Sequence, residues 1–151
     1  IEDGLHKRIN DLTKMLGLED RIDTLLNSYS KGMKQKISFA AAVIHDPDVL
    51  FLDEPIMGLD PQFGKLIKDW IKHAALRGKS IILSTHQTEL AQTLCNKLLI
   101  LHRGIPVVMG DLNDILNFTR TENLEEAFIE VIRGKLAQYP LGMHSYTHSS
   151  M

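Results

Sequence analysis

The sequence predicts an α/β domain with a mainly parallel sheet flanked by helices and part of an α-helical subdomain at its N-terminal end. Three observations predict it. Val49–Leu52 and the stretch SIILST from Ser80 are apolar runs without alternation, the pattern of strands buried on both faces of a parallel sheet. Segments with apolar residues at helical spacing surround these runs, so strands alternate with helices. Residues 1–46 carry helical patterns only.

Taken in order, Leu5, Ile9, Leu12 and Leu16 share one helical face, and Gly17 is a stop for that helix. A second short helix is expected over Glu19–Leu26, followed by Asn-Ser-Tyr-Ser as punctuation. Met33, Ile37, Ala40, Ala41 and Ile44 form the next stripe, so a helix should run from Lys31 to His45 and end where Pro47 disfavours helix at Asp46. Asp60-Pro61 is a helix start, an acid at the N-cap and proline at the first helical position. Phe63, Leu66, Ile67, Trp70, Ile71 and Ala74 make its buried face, with Lys65, Lys68 and Lys72 on the solvated side and Gly78 at its end. A helix over Thr88–Cys95 follows the second strand. Two short apolar runs, KLLILH and IPVVMG, flank Arg103-Gly104 as a hairpin. Helices are expected over Asp111–Asn117 and Leu124–Arg133, the latter with Leu124, Phe128, Val131 and Ile132 on one face. Residues 139–151 contain no Asp, Glu, Lys or Arg and read as a disordered tail. The domain portion is thus 1–138, with 1–46 helical and 47–138 the core sheet and its helices.

The chain has 151 residues, the size of one domain, with 44% hydrophobic and 24% charged residues. A net charge of −2 gives no support to bulk attraction to nucleic acid or anionic membrane. No apolar run approaches the roughly 20 residues that span a bilayer. The one cysteine, Cys95, excludes an internal disulfide, fits a reducing compartment and reads as a small buried hydrophobe. Because the first residue is Ile1, the chain reads as a piece of a longer protein or a processed product.

The segment VLFLDEPIMGLDP, Val49–Pro61, carries the chemistry. Ligands of open parallel sheets sit beyond the carboxyl ends of the strands, where Asp53 and Glu54 stand. Consecutive residues can point to different sides, one acid toward a metal and the other toward an attacking water. Mg²⁺ accepts one carboxylate plus substrate phosphates and waters. A second carboxylate can act as general base. His86 ends the other apolar strand, and adjacent parallel strands bring it near both acids, where it can contact a terminal phosphate or position the water. For Asp60 the N-cap role alone is a sufficient explanation.

Such a site calls for the phosphate-binding pattern G-x-x-x-x-G-K-[ST] between a strand and a helix. HAALRGKS has His73 where the first glycine belongs, and it follows a helix and precedes a strand. GLDPQFGKL has five residues between its glycines and Leu66 in place of a hydroxyl. Both are rejected, and the loop is absent from this sequence. YSKGMKQK, Tyr29–Lys36, offers a different anion site: Ser30 and Gly32 lie at a helix start, where free amides and the dipole favour phosphate, although a serine N-cap explains Ser30 equally well.

Together these segments resemble the C-terminal half of the ATP-binding subunit (nucleotide-binding domain) of ABC transporters, exporter or multidrug type, over about Leu5–Leu116. YSKGMKQK is similar to the signature motif L-S-G-G-Q, with Tyr29, Lys31 and Met33 as departures and Ser30 and Gly32 retained. VLFLDE matches Walker B, GLD the D-loop and STH the switch-histidine loop. The resemblance implies a P-loop NTPase-like fold and an ATPase that powers a membrane transporter, with ATP and Mg²⁺ as cofactors. It implies a metal role for Asp53, catalytic roles for Glu54 and His86, and nucleotide contacts from Ser30, Lys31, Gly32, Met33, Gln35 and Asp60, some of them across a dimer. Implied partners are a second ATPase subunit and a transmembrane permease, with no nucleic acid and no membrane span of its own, at the cytoplasmic face of the membrane. Without the Walker A loop, the isolated chain is expected to be inactive. Two alternatives stand beside this reading: a non-catalytic half-module that docks on a complete subunit, and the C-terminal lobe of a DNA-maintenance ABC ATPase. The second expects long heptads before the signature, which the segment before Tyr29 does not sustain.

Overall fold

The computed structural model describes residues 2–133; the proposed tail at 139–151 lies outside them. The chain divides into two compact units, Ile1–His86 and Gln87–Met151.

The first unit contains α1 (Glu2–Met15), α2 (Lys31–Val43), β1 (Val49–Asp53), α3 (Pro61–Leu76) and β2 (Ser80–Ser84). Gly17, at φ +63°, ends α1 in the left-handed conformation that glycine adopts most cheaply. Leu16 and Leu18 on either side of it are buried. The helix expected over Glu19–Leu26 is instead two 3₁₀ turns, Glu19–Arg21 and Leu26–Ser28, with Leu25 extended between them. Neither turn has a side-chain cap, and Ile22, Leu25 and Leu26 are exposed, so no buried face compensates the cost of helix nucleation. Tyr29 is buried, and its hydroxyl donates to the Arg21 carbonyl at 2.6 Å, anchoring the entry to α2.

The buried face of α2 is Lys36, Phe39, Ala40 and Val43, rotated from the expected stripe. Ala41 is exposed, and Met33, Ile37 and Ile44 are only half-buried. Phe39 meets Trp70 of α3 edge to face, with centroids 5.1 Å apart. On α3, Ile67, Ile71 and Ala74 are buried as expected, together with Gly64, whereas Phe63, Leu66 and Trp70 are half-buried.

Strands β1 and β2 are parallel, in register from Val49↔Ser80 to Asp53↔Ser84. The pair is not buried on both faces as the apolar runs suggested. Leu50 and Leu52 are buried, whereas Val49, Phe51 and Ile82 are exposed, Phe51 by 71%. Strand periodicity puts Phe51 opposite Leu50 and Leu52, on the same face as its register partner Ile82. That face is uncovered among the described residues.

The second unit contains α4 (Thr88–Leu94), β3 (Leu98–His102), β4 (Ile105–Gly110), α5 (Leu112–Thr119) and α6 (Leu124–Ile132). Strands β3 and β4 form the expected antiparallel hairpin, with an irregularity between Ile100 and Leu101. Arg103 and Gly104 both have positive φ, as a tight two-residue turn requires. Leu98, Ile100, Ile115, Leu124, Ala127 and Val131 form the core. On α6, Ala127 takes the core position, and Phe128 and Ile132 are partly exposed, so the buried stripe is narrower than the sequence suggested. Asp111 and Asp114 form a reciprocal capping box at the start of α5.

Candidate functional site

The carboxyl ends of β1 and β2 build the site. Asp53 closes β1 opposite Ser84, whose hydroxyl donates to Asp53 Oδ1. The chain then turns sharply: Glu54 has φ 44°, in the left-handed region. Its amide still donates to the Ser84 carbonyl at 3.1 Å, so the turn remains tied to the end of β2. This conformation costs a non-glycine residue roughly 1 kcal/mol or more, and such strain concentrates at functional positions.

The turn aims the Glu54 carboxylate at the residues after β2. Oε1 accepts from the His86 amide at 2.8 Å and faces His86 Nδ1 at 2.5 Å. Oε2 accepts from the Thr85 hydroxyl at 3.2 Å. A carboxylate oxygen has two lone pairs. Those of Oε1 are both engaged, and among the described residues Oε2 accepts one bond, which leaves it a direction in which to meet a water. If Nδ1 carries the proton in this pair, Nε2 of the neutral ring is an acceptor; only the protonated ring donates from it. The His86 side chain is 67% exposed and Glu54 22%. Asp53 is itself exposed, beside this pair, with Ser84 as its hydroxyl neighbour. No group of three or more His, Cys, Asp or Glu suited to a metal occurs among the described residues. One carboxylate with a neighbouring hydroxyl nevertheless fits Mg²⁺, which commonly binds through one or two carboxylates while phosphates and waters complete its octahedron.

The second group of sequence candidates surrounds the start of α2. Ser30 caps the helix, its Oγ accepting from the Met33 amide at 3.2 Å, which is the capping explanation given above. Its hydroxyl hydrogen remains available to an acceptor. Lys31 and Gly32 lie in the first turn, where helix geometry leaves amides without intrahelical acceptors. Gln35 connects the two groups: its Nε2 donates to the Glu54 carbonyl at 3.2 Å. Asp60 caps α3, with Oδ1 accepting from the Gln62 and Phe63 amides, both at 3.1 Å.

The structure therefore brings Asp53, Glu54 and His86 together and ties Gln35 to them, while Ser30 and Asp60 serve as caps. Sequence reasoning did not single out Ser84 and Thr85. Both lie in the run that ends at His86, and the strand register was the signal that could have found them. It also passed over Lys36, whose spacing from Phe39, Ala40 and Val43 places it on the buried helix face. Of the rejected phosphate-loop candidates, Lys79 is committed elsewhere. Its Nζ lies 2.8 Å from Asp46 Oδ1 and donates to the carbonyls of Asp46 and Pro47. Gly64 and Lys65 lie inside α3.

Residues 4–91 match the family described as "AAA domain, putative AbiEii toxin, Type IV TA system". Among curated proteins, the ABC transporter ATP-binding protein NatA of Bacillus subtilis is 35% identical over 128 residues, covering 84% of this chain and 52% of NatA. A fluoroquinolones export ATP-binding protein of Mycobacterium tuberculosis is 43% identical over 104 residues, covering 69% of this chain and 35% of that protein. A solved ATP-binding subunit of an ABC transporter superposes with a TM-score of 0.81 at 32% identity, over 87% of this chain and 55% of that one. The chain belongs to the family of ABC transporter ATP-binding proteins. Its fold is that of their P-loop NTPase domain. A dimeric ATP-binding cassette in a post-hydrolysis state, bound to ADP and Pi, superposes with a TM-score of 0.62 at 26% identity, over 70% of this chain and 46% of that one. The chain spans about half, or less, of the length of the curated relatives it matches.

Proposed function

We propose that this chain is the carboxylate and signature portion of an ABC transporter ATPase, with the phosphate loop supplied by sequence outside it. The observation that carries this reading is the Glu54 carboxylate, held by Thr85 and His86, with Oε2 accepting a single bond among the described residues. Asp53 is the metal ligand and Glu54 the general base. His86 orients Glu54 and, when protonated, can donate from Nε2 toward a phosphate. When bound, Mg²⁺ supplies charge neutralisation on the phosphates. Ser30, Lys31, Gly32, Met33 and Gln35, together with Asp60, face the nucleotide held by a second ATPase subunit. The dimeric, ADP-bound cassette with the same fold supports that arrangement. A permease at the cytoplasmic face of a membrane is the partner that hydrolysis drives. Relatives whose names specify export of Nod factor or fluoroquinolones favour an exporter.

The deciding experiment supplies a phosphate-loop half in trans and measures MgATP hydrolysis. Hydrolysis should appear only in the mixture. Glu54→Gln should retain ATP binding and slow turnover by about 10²-fold or more, roughly 3 kcal/mol of barrier. Unchanged turnover in Glu54→Gln would reassign the base. Strong hydrolysis by this chain alone would rule out the need for a separate loop.

A further inference from the structure

Lys36 is a charged residue in a buried position, only 9% exposed, on the core face of α2. Its Nζ lies 2.9 Å from the centroid of the Phe63 ring. Burial draws its pKa below the ordinary 10.5, and the Asp60 carboxylate acts in the opposite direction, favouring the ammonium. The backbone amide of Phe63 is one of the two that Asp60 Oδ1 accepts. The tip of the ring is approached as well: its Cζ lies 3.1 Å from where a Cβ on Gly17 would stand. The ring therefore meets the ammonium over its face and the turn that ends α1 near its tip.

Two further approaches tie α2 to the segment from Glu54 to Phe63. Gln35 donates to the Glu54 carbonyl, and a Cβ on Gly32 would lie 3.7 Å from the Gly58 carbonyl oxygen. All three come from the first turns of α2, the stretch assigned above to nucleotide contacts. An apolar residue at position 36 would fill the same space without the desolvation cost of an ammonium. What the charge adds is attraction to the ring face and to Asp60.

We propose that Lys36 is a positioning residue: its ammonium, over the Phe63 ring, fixes the loop Glu54–Asp60 against α2, so that the nucleotide-facing helix and the carboxylates move as one body. This rests on the function proposed above, but its central test does not need ATP. In the full chain, Lys36→Met keeps side-chain length and removes charge, and Lys36→Arg keeps the charge. Amide hydrogen exchange should become about 10-fold faster at Gln62 and Phe63 in Lys36→Met, the order expected for losing a desolvated cation–π contact. The Leu52 amide in β1 should stay within about 2-fold, and Lys36→Arg should restore protection. Unchanged exchange at Gln62 and Phe63, or equal acceleration at Leu52, overturns the proposal. In the mixture with a phosphate-loop half, Lys36→Met should lower kcat and leave KM for ATP within about 2-fold. Faster local exchange with unchanged kcat also overturns a positioning role. A mixture without any ATPase would count against the proposed function, and the exchange measurement would then decide the coupling.

Discussion

Replacing Gly17 by alanine tests the junction of α1 with the start of α3, and its cost can be worked from two separate effects. Gly17 has φ +63°, so any other residue there adopts the left-handed region, at roughly 1 kcal/mol. The new Cβ would also stand 3.1 Å from Phe63 Cζ, close enough that the ring must shift by a few tenths of an ångström. Lys36 Nζ already lies over the ring, so a shift of the ring also disturbs that contact. Overpacking of this kind costs roughly 1–3 kcal/mol. Gly78 is the control: its φ is +86° and an added Cβ meets nothing within 4 Å, so Gly78→Ala carries the backbone cost alone. The loss of glycine's unfolded-state freedom is common to both variants and cancels in their difference. Urea unfolding followed through the single tryptophan, Trp70, reports on this unit, since Trp70 packs on Phe39. Gly17→Ala should be less stable than Gly78→Ala by about 1 kcal/mol or more, a further midpoint shift of roughly 0.5 M. Equal midpoints for the two variants would show that the Phe63 ring does not bear on Gly17.

Further expectations follow from other sites. Asp60→Ala removes the acceptor of two α3 amides and should cost about 1 kcal/mol in urea unfolding, with Asp60→Asn near wild type. The carboxyl of Asp111 is held below its ordinary 3.8, chiefly by hydrogen bonding from the Asp114 backbone. The folded value lies below the unfolded one, so its contribution is fully present above pH 3.8 and is lost as pH falls through the folded value. An NMR titration should place the Asp111 midpoint below 3.8, and Asp111→Asn should blunt the loss of stability in that range. Phe51→Thr should reduce binding of a hydrophobic dye while changing stability by less than about 0.5 kcal/mol, because the side chain is largely exposed.

Much of the fold was legible because local signals agree with the long-range structure. Asp60-Pro61 starts a helix in the sequence and in the structure, and Arg103-Gly104 turns the hairpin as its flanking apolar runs required. What misled was apolar content taken as burial. Val49–Leu52 reads as a strand covered on both sides, but alternation places Phe51 on a face that the described residues do not cover. The segment Glu19–Leu26 reads as a short helix, yet its Ile22, Leu25 and Leu26 are exposed and it forms only short 3₁₀ turns. On α2 the aliphatic residues mark one stripe, and a lysine carries no apolar signal, so residue type does not announce the core position of Lys36. The Asp53, Glu54 and His86 group was legible because strand ends converge in a parallel pair. The turn at Glu54 was not, since its positive φ follows from hydrogen bonds to β2 that residue type does not announce.

The uncovered row of Val49, Phe51 and Ile82 also bears on how long the chain survives in a cell. Chaperones and proteases recognise exposed apolar surface, and a bare strand face of this kind marks a polypeptide as unfinished. The expectation is that its lifetime depends on how quickly something covers that face, and that its cellular amount follows the supply of whatever does so. A pulse-chase comparison should find Phe51→Thr longer-lived than the wild type when the chain is expressed alone. Equal half-lives would mean that this face does not mark the chain for turnover.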